Sequence, residues 1–120
     1  MGSLMYLKLL KSKLHRARVT SAKVDYPGSI GIDSELMAAA GIVAYEKVLV
    51  ADLNNGSRLE TYVVPAEAGS REIEILGAAA NLVEKEDIVI IMGFGLFTPE
   101  EARYHKPKVV VLDENNNIIK

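Results

Sequence analysis

Apolar and polar residues alternate in short runs along most of this chain, the period-two pattern of half-buried strands. From Met5 to Val24, basic residues are interleaved with Leu7, Leu10, Leu14, Val19 and Val24, which predicts an extended segment. Lys47 to Leu53 and Arg58 to Pro65 predict two strands, and Asn54-Asn55-Gly56-Ser57 between them is a strong hairpin signal. Glu72-Ile73-Glu74-Ile75 alternates strictly, and Asp87 to Met92 reads as a buried strand. Val109 to Leu112 is a last strand, after which Asn115-Asn116-Asn117 turns the chain into Ile118-Ile119.

Two short helices interrupt this pattern. Asp33 or Ser34 can cap the first, whose apolar side is Leu36, Met37 and Ala40 and which Gly41 can end. Thr98 caps the second, with Pro99 at its first position and Glu100 and Glu101 near its positive end. Six or seven short strands with two short helices give a mainly β fold. Closure into a barrel is favoured, because it removes exposed edges.

Composition narrows the picture. At 120 residues the chain makes one domain, with no internal repeat or linker. Met1-Gly2-Ser3-Leu4 reads as an appended leader before a natural start at Met5, which puts the domain at residues 5–120. A net charge of −2 gives no general pull toward nucleic acid or anionic membrane. No apolar stretch approaches the roughly 20 residues of a membrane span, and no secretory signal opens the chain. Cysteine is absent and histidine is limited to His15 and His105, so thiolate and histidine-rich metal sites are not expected and a reducing, cytoplasmic setting is.

Tyr26-Pro27-Gly28-Ser29 is a turn signal, with Pro fixing φ and Gly free to take a positive φ. On its own, Pro-Gly-Ser is a plain turn. It stands in order with Lys13-Leu14-His15-Arg16-Ala17, Asn55-Gly56-Ser57-Arg58-Leu59-Glu60-Thr61-Tyr62, Gly77-Ala78-Ala79-Ala80 and Glu100-Glu101-Ala102-Arg103. Together these segments resemble the bacterial pyruvoyl-dependent aspartate 1-decarboxylases, nearly over the whole chain from Met5. The resemblance implies a six-stranded double-psi β-barrel, a homotetramer, and conversion of L-aspartate to β-alanine and CO2, with β-alanine feeding pantothenate and coenzyme A synthesis. It further implies self-cleavage into residues 1–28 and 29–120, with Ser29 becoming a pyruvoyl group.

The chemistry fits those residues. Loss of CO2 from an α-amino acid leaves a carbanion that needs an electron sink, a task that pyridoxal phosphate commonly performs through a Lys Schiff base. The chain has no obvious pyridoxal site, and a pyruvoyl ketone condensing with the substrate amine serves instead. To form it, the Ser29 hydroxyl attacks the Gly28 carbonyl, where glycine permits strained dihedrals and leaves the carbonyl open. The resemblance implies that Thr61 assists this step and later touches substrate.

Arg58 and Tyr62 lie four apart in one predicted strand and so leave the same face. The planar fork of Arg58 suits a carboxylate, with a solvated strand Arg as the bland alternative. Lys13 resembles a second carboxylate contact, or is a surface lysine. Tyr62 carries a phenolic hydroxyl that suits the family role of proton donor to Cα, or is a packed barrel tyrosine. Gly77, Ala78 and Ala79 offer backbone groups to substrate or form a close-packed turn. His15 and Tyr26 are supporting candidates with structural alternatives.

Two positions depart from the family pattern. Leu76 stands where Asn usually precedes Gly-Ala-Ala-Ala, leaving a polar contact missing or supplied by Asn81, and Asp25 replaces a residue that is often His or Asn. Two other readings stay open: a non-catalytic barrel used for binding or regulation, and pyruvoyl chemistry on another amino acid.

Overall fold

The computed structural model describes residues 4–120, so residues 1–3 of the expected leader lie outside the described residues. In chain order the elements are β1 (Leu7–Arg18), β2 (Ser21–Lys23), β3 (Ser29–Asp33), α1 (Ser34–Ala40), β4 (Lys47–Asp52), β5 (Arg58–Ala66), β6 (Ile73–Leu76), a 3-10 turn (Gly77–Asn81), β7 (Ile88–Phe97), α2 (Pro99–Tyr104) and β8 (Lys108–Val111). The protein is mainly β. All eight strands belong to one sheet in the order β2-β6-β3-β5-β4-β7-β1-β8.

The sheet has to curl. Its edge strand β2 starts three residues after β1 ends, yet β1 stands near the opposite edge. The chain makes the jump at Val19 and Thr20, whose N–H groups donate to Asp87 O, just before β7, and to Ile73 O, at the start of β6. Buried Asn116 ties the same seam: its Nδ2 donates to Arg18 O and Arg71 O, and its Oδ1 accepts from Arg18 N. Inside the curl sit Leu14, Ile30, Ile32, Val48, Val50, Val63, Ile73, Ile75 and Ile91, each with no exposed surface. Leu36, Met37 and Ala40 of α1 join that core.

Local signals explain most element ends. Asp33 Oδ1 accepts from Glu35 N at 2.8 Å to cap α1, and Gly41 at φ +69 closes it. Thr98 and Glu101 form a reciprocal capping box behind Pro99. Gly56 at φ +77 turns the β4–β5 hairpin, which pairs Lys47 with Tyr62 and Ala51 with Arg58.

Three expectations change. The extended segment from Met5 to Val24 is two strands, because its pairing partner switches from β7 to β6. β7 runs to Phe97, beyond the apolar run ending at Met92. Gly93 and Gly95 weaken a strand locally, but Leu7 to Leu10 of β1 pair with Phe97 to Phe94 and hold the extension. Finally, eight paired segments replace the six or seven expected, since segments as short as the three-residue β2 find partners of their own.

Candidate functional site

Ser29 opens β3 and is only 5% exposed. Two strands flank it. On one side, antiparallel β6 places Leu76 directly opposite Ser29. On the other, β5 runs parallel to β3 in a register that begins with Ile30 against Val63, and Ser29 and Tyr62 are the residues just before that first pair. Paired residues of neighbouring strands share a face, about 5 Å apart. Leu76, Ser29, Tyr62 and Lys47 therefore form one row across β6, β3, β5 and β4. Leu76 is half-buried and Tyr62 is 39% exposed, so the row opens to the outside at Tyr62.

The turn before Ser29 is exposed at Tyr26, Pro27 and Gly28. Gly28 does not take a positive φ; that conformation belongs to Gly77, at φ +86. The left-handed freedom expected of Gly28 is thus used by a different glycine, on the element that faces the turn. Tyr26 has the Lys23 ammonium 5.6 Å from its ring centroid. Ala78 is exposed and Ala79 half-buried in the 3-10 turn that begins at Gly77. Asn81 Nδ2 donates to Ala78 O at 3.2 Å, so its amide serves this turn.

Other candidates lie apart. Arg58 is exposed and four residues down β5 from Tyr62, roughly 13 Å along the strand. Lys13 is half-buried on β1, and β7, β4 and β5 stand between β1 and β3 in the sheet. Thr61 pairs with Val48 and leaves β5 on the face opposite Tyr62. His15 sits beside a bulge in which His15 and Arg16, with Arg16 at φ +68, oppose one residue of β7. Its buried Nδ1 has no partner, and burial, then Lys13 and Arg16, hold its pKa below the usual 6.5. A surface cleft of about 370 Å³ is lined by residues including Arg16, Arg18 and Glu114, away from Ser29.

Behind the row, buried Asp33 braces β3 against the loop into β6. It accepts from Gly69 N (3.0 Å), Arg71 N (2.7 Å) and Arg71 Nη1 (2.9 Å), in addition to its cap bond. Burial alone would raise its pKa, but those N–H donors and the guanidinium together hold it below the ordinary 3.8. The sequence offers Asp33 only as a cap; nothing local points to Arg71, 38 residues on.

A buried serine after a Gly, flanked by a tyrosine and a glycine-led turn, is an arrangement that whole-chain comparison can test. The family model described as aspartate decarboxylase matches residues 5–119. The chain belongs to the aspartate decarboxylase family. It is 53% identical over 116 residues to the aspartate 1-decarboxylase of Salinibacter ruber, covering 97% of this chain and 80% of the relative. It is 55% identical to the same-named protein of Caldicellulosiruptor saccharolyticus, covering 97% and 91%. The aspartate 1-decarboxylase of Acetivibrio thermocellus is 55% identical over 115 residues, covering 96% and 91%. Family membership thus spans the whole domain, and the row around Ser29 lies inside it.

Proposed function

We propose that this chain cleaves itself between Gly28 and Ser29 and then decarboxylates L-aspartate to β-alanine and CO2. The observation that carries the reading is the register of β3 and β5, in which buried Ser29 and half-exposed Tyr62 immediately precede the first pair, Ile30 with Val63.

In the first stage the Ser29 hydroxyl oxygen bonds to the Gly28 carbonyl carbon. The Gly28–Ser29 C–N bond breaks, an ester remains, and the hydroxyl proton ends on the freed amine. Elimination then releases the Gly28 carboxylate and leaves dehydroalanine, which water converts to a pyruvoyl group with loss of ammonia. The residues fit such a group: a Cβ built on Gly28 meets nothing within 4 Å, so the space beside the cut is open, while Ser29 itself is held in the sheet. The pyruvoyl group supplies a ketone to bind the substrate amine and an adjacent carbonyl to take up electrons as CO2 leaves.

The chain's own residues do the rest. Tyr62 carries a hydroxyl on the same face as Ser29 and returns a proton to Cα. Gly77, Ala78 and Ala79 line the approach with backbone groups. Thr61 as an assistant at the Gly28 carbonyl has less geometry behind it, since it leaves the opposite face. Arg58 and Lys13 are suited to the substrate carboxylates but stand away from Ser29 of their own chain. Their separation supports a homotetramer in which neighbouring copies complete each site. The curled sheet fits the double-psi barrel that the resemblance implies, with short segments pairing separately. Among the described residues no helix is long and apolar enough to cross a membrane. A cysteine-free chain suits the cytoplasm.

The test is intact mass after prolonged warm incubation, followed by assay for β-alanine. Two fragments, 1–28 and 29–120, with no free amine on the larger, are expected. A persistent full-length species would refute the self-cleavage. Ser29→Ala should stay whole and folded.

A further inference from the structure

We propose that Gly77 is a positioning residue for the self-cleavage: its side-chain-free Cα is the seat on which the Tyr26–Gly28 turn rests, holding the Gly28 carbonyl within reach of the Ser29 hydroxyl. This rests on the cleavage reading above and goes beyond the backbone contacts to substrate assigned there.

The two residues after Ile75 hold the two sides of the bond. Leu76 pairs with Ser29 and fixes the chain on the C-terminal side of the cut. Gly77 meets the chain on the N-terminal side. A Cβ built on Gly77 would lie 2.7 Å from Gly28 Cα, 2.8 Å from Tyr26 O and 2.9 Å from Gly28 N. All three atoms are backbone, so no flexible side chain can swing aside. By contrast, a Cβ on Gly28 would meet nothing within 4 Å. The tight side of the turn is therefore the side against Gly77, while the Cβ direction of Gly28 is open. Gly77 reaches this approach at φ +86, a conformation that itself favours glycine.

The first step forms the Ser29 Oγ bond to the Gly28 carbonyl carbon and breaks the C–N bond, with the hydroxyl proton passing to the nitrogen. It requires the oxygen and carbon to start about 3–3.5 Å apart and aligned, and a misplacement of about 1 Å can cost on the order of a hundredfold in rate. Moving a contact from 2.7 Å to the ordinary 3.4 Å displaces the turn by roughly 0.7 Å, the difference of those two distances. A methyl group at position 77 should thus act on the cut through the turn that precedes Ser29.

The experiment compares the parent chain, Gly77→Ala and Gly41→Ala. Cleavage is followed by intact mass at one temperature, with thermal unfolding measured on each protein. Gly41 is the control because it carries a similar positive φ, +69, but its added Cβ meets nothing within 4 Å. Both variants suffer the backbone strain; only one pushes on the turn. Gly77→Ala is expected to cleave about a hundredfold more slowly than the parent, and Gly41→Ala to cleave within threefold of it at a comparable loss of Tm. Should Gly77→Ala fail to fold, Gly77→Asn is read in its place, since Asn tolerates positive φ better and carries the same Cβ. Cleavage of the folded position-77 variant within threefold of the parent overturns the seat while leaving the cleavage reading intact. Equal slowing in Gly41→Ala also overturns it, by assigning the effect to stability. A parent that stays whole rejects the cleavage reading and the seat together.

Discussion

Ser29 and Leu76 stand opposite one another in the antiparallel pair of β3 and β6, so Leu76, which departs from the Asn of the family pattern, is the direct neighbour of the proposed cleavage residue. The leucine side chain offers that residue no hydrogen bond, and the Nδ2 of Asn81 is engaged with Ala78 O. Maturation should therefore be slow, with freshly purified protein still partly or wholly uncleaved. Leu76→Asn is expected to speed it roughly tenfold to several hundredfold, the effect of one hydrogen bond at a reacting centre. Time courses by mass for both proteins decide; equal and rapid cleavage would show the departure to be silent.

Tyr62→Phe should still cleave but lose about 10²- to 10⁴-fold in β-alanine production by the processed protein. The ring keeps its place in β5 while the hydroxyl on the Ser29 face is removed. Near-normal kcat in the fully processed variant would remove Tyr62 as proton donor.

Arg58→Ala should raise KM for aspartate about ten- to hundredfold, the worth of a charge-assisted pair with a carboxylate. Self-cleavage should proceed, because Arg58 lies a strand's length from Ser29 in its own chain. Steady-state kinetics on processed protein check this, and an unchanged KM would return Arg58 to the role of a solvated strand residue.

Asp52 makes a pH-dependent prediction. It is 3% exposed, its Oδ1 accepts from Asn54 N and Asn55 N, and its buried Oδ2 has no N–H donor among the described residues. Burial, and then the neighbouring Asp87 carboxyl, push its pKa above the ordinary 3.8. A raised folded pKa favours the fold while the carboxyl is protonated and loses that contribution as pH rises through the folded value. Asp52→Asn keeps the Oδ1 acceptor and removes the charge. It should raise Tm by about 2–6 °C at pH 8, on the order of 1 kcal/mol, with a smaller gain near pH 4. A gain independent of pH, or a loss at pH 8, would contradict the assignment.

What the sequence made legible was local. Asp33 and Gly41 bound α1, Thr98 and Pro99 start α2, and Asn54 to Ser57 join β4 to β5, because each signal acts through a side chain or a φ angle within a few residues. The family likeness carried Ser29, Tyr62 and Gly77 forward as members of one site. Their arrangement was not legible, because it depends on pairings between distant segments: parallel β3 with β5, whose first pair follows directly on Ser29 and Tyr62, and antiparallel β3 with β6, which sets Ser29 against Leu76. Periodicity gives the face a residue occupies but not the strand that will lie next to it. For the same reason the left-handed conformation was expected at Gly28, where the turn signal is, and occurs at Gly77, where the approach of two backbones demands it. Arg71 on Asp33 and Asp87 near Asp52 are likewise products of the curl.

One consequence follows from the place of β1, paired with β7 from Leu7 to Arg18 and with β8 from Ser12 to His15. A cut after Gly28 frees β1 and β2 from the rest of the chain as a peptide held by hydrogen bonds and packing alone. Folding, which is unimolecular for the precursor, becomes an association of two molecules for the product. Denatured precursor should regain its fold at any dilution, whereas denatured product should recover less as it is diluted, its small fragment lost to the solvent. On the proposed reading, then, the chain must fold first and cut afterwards.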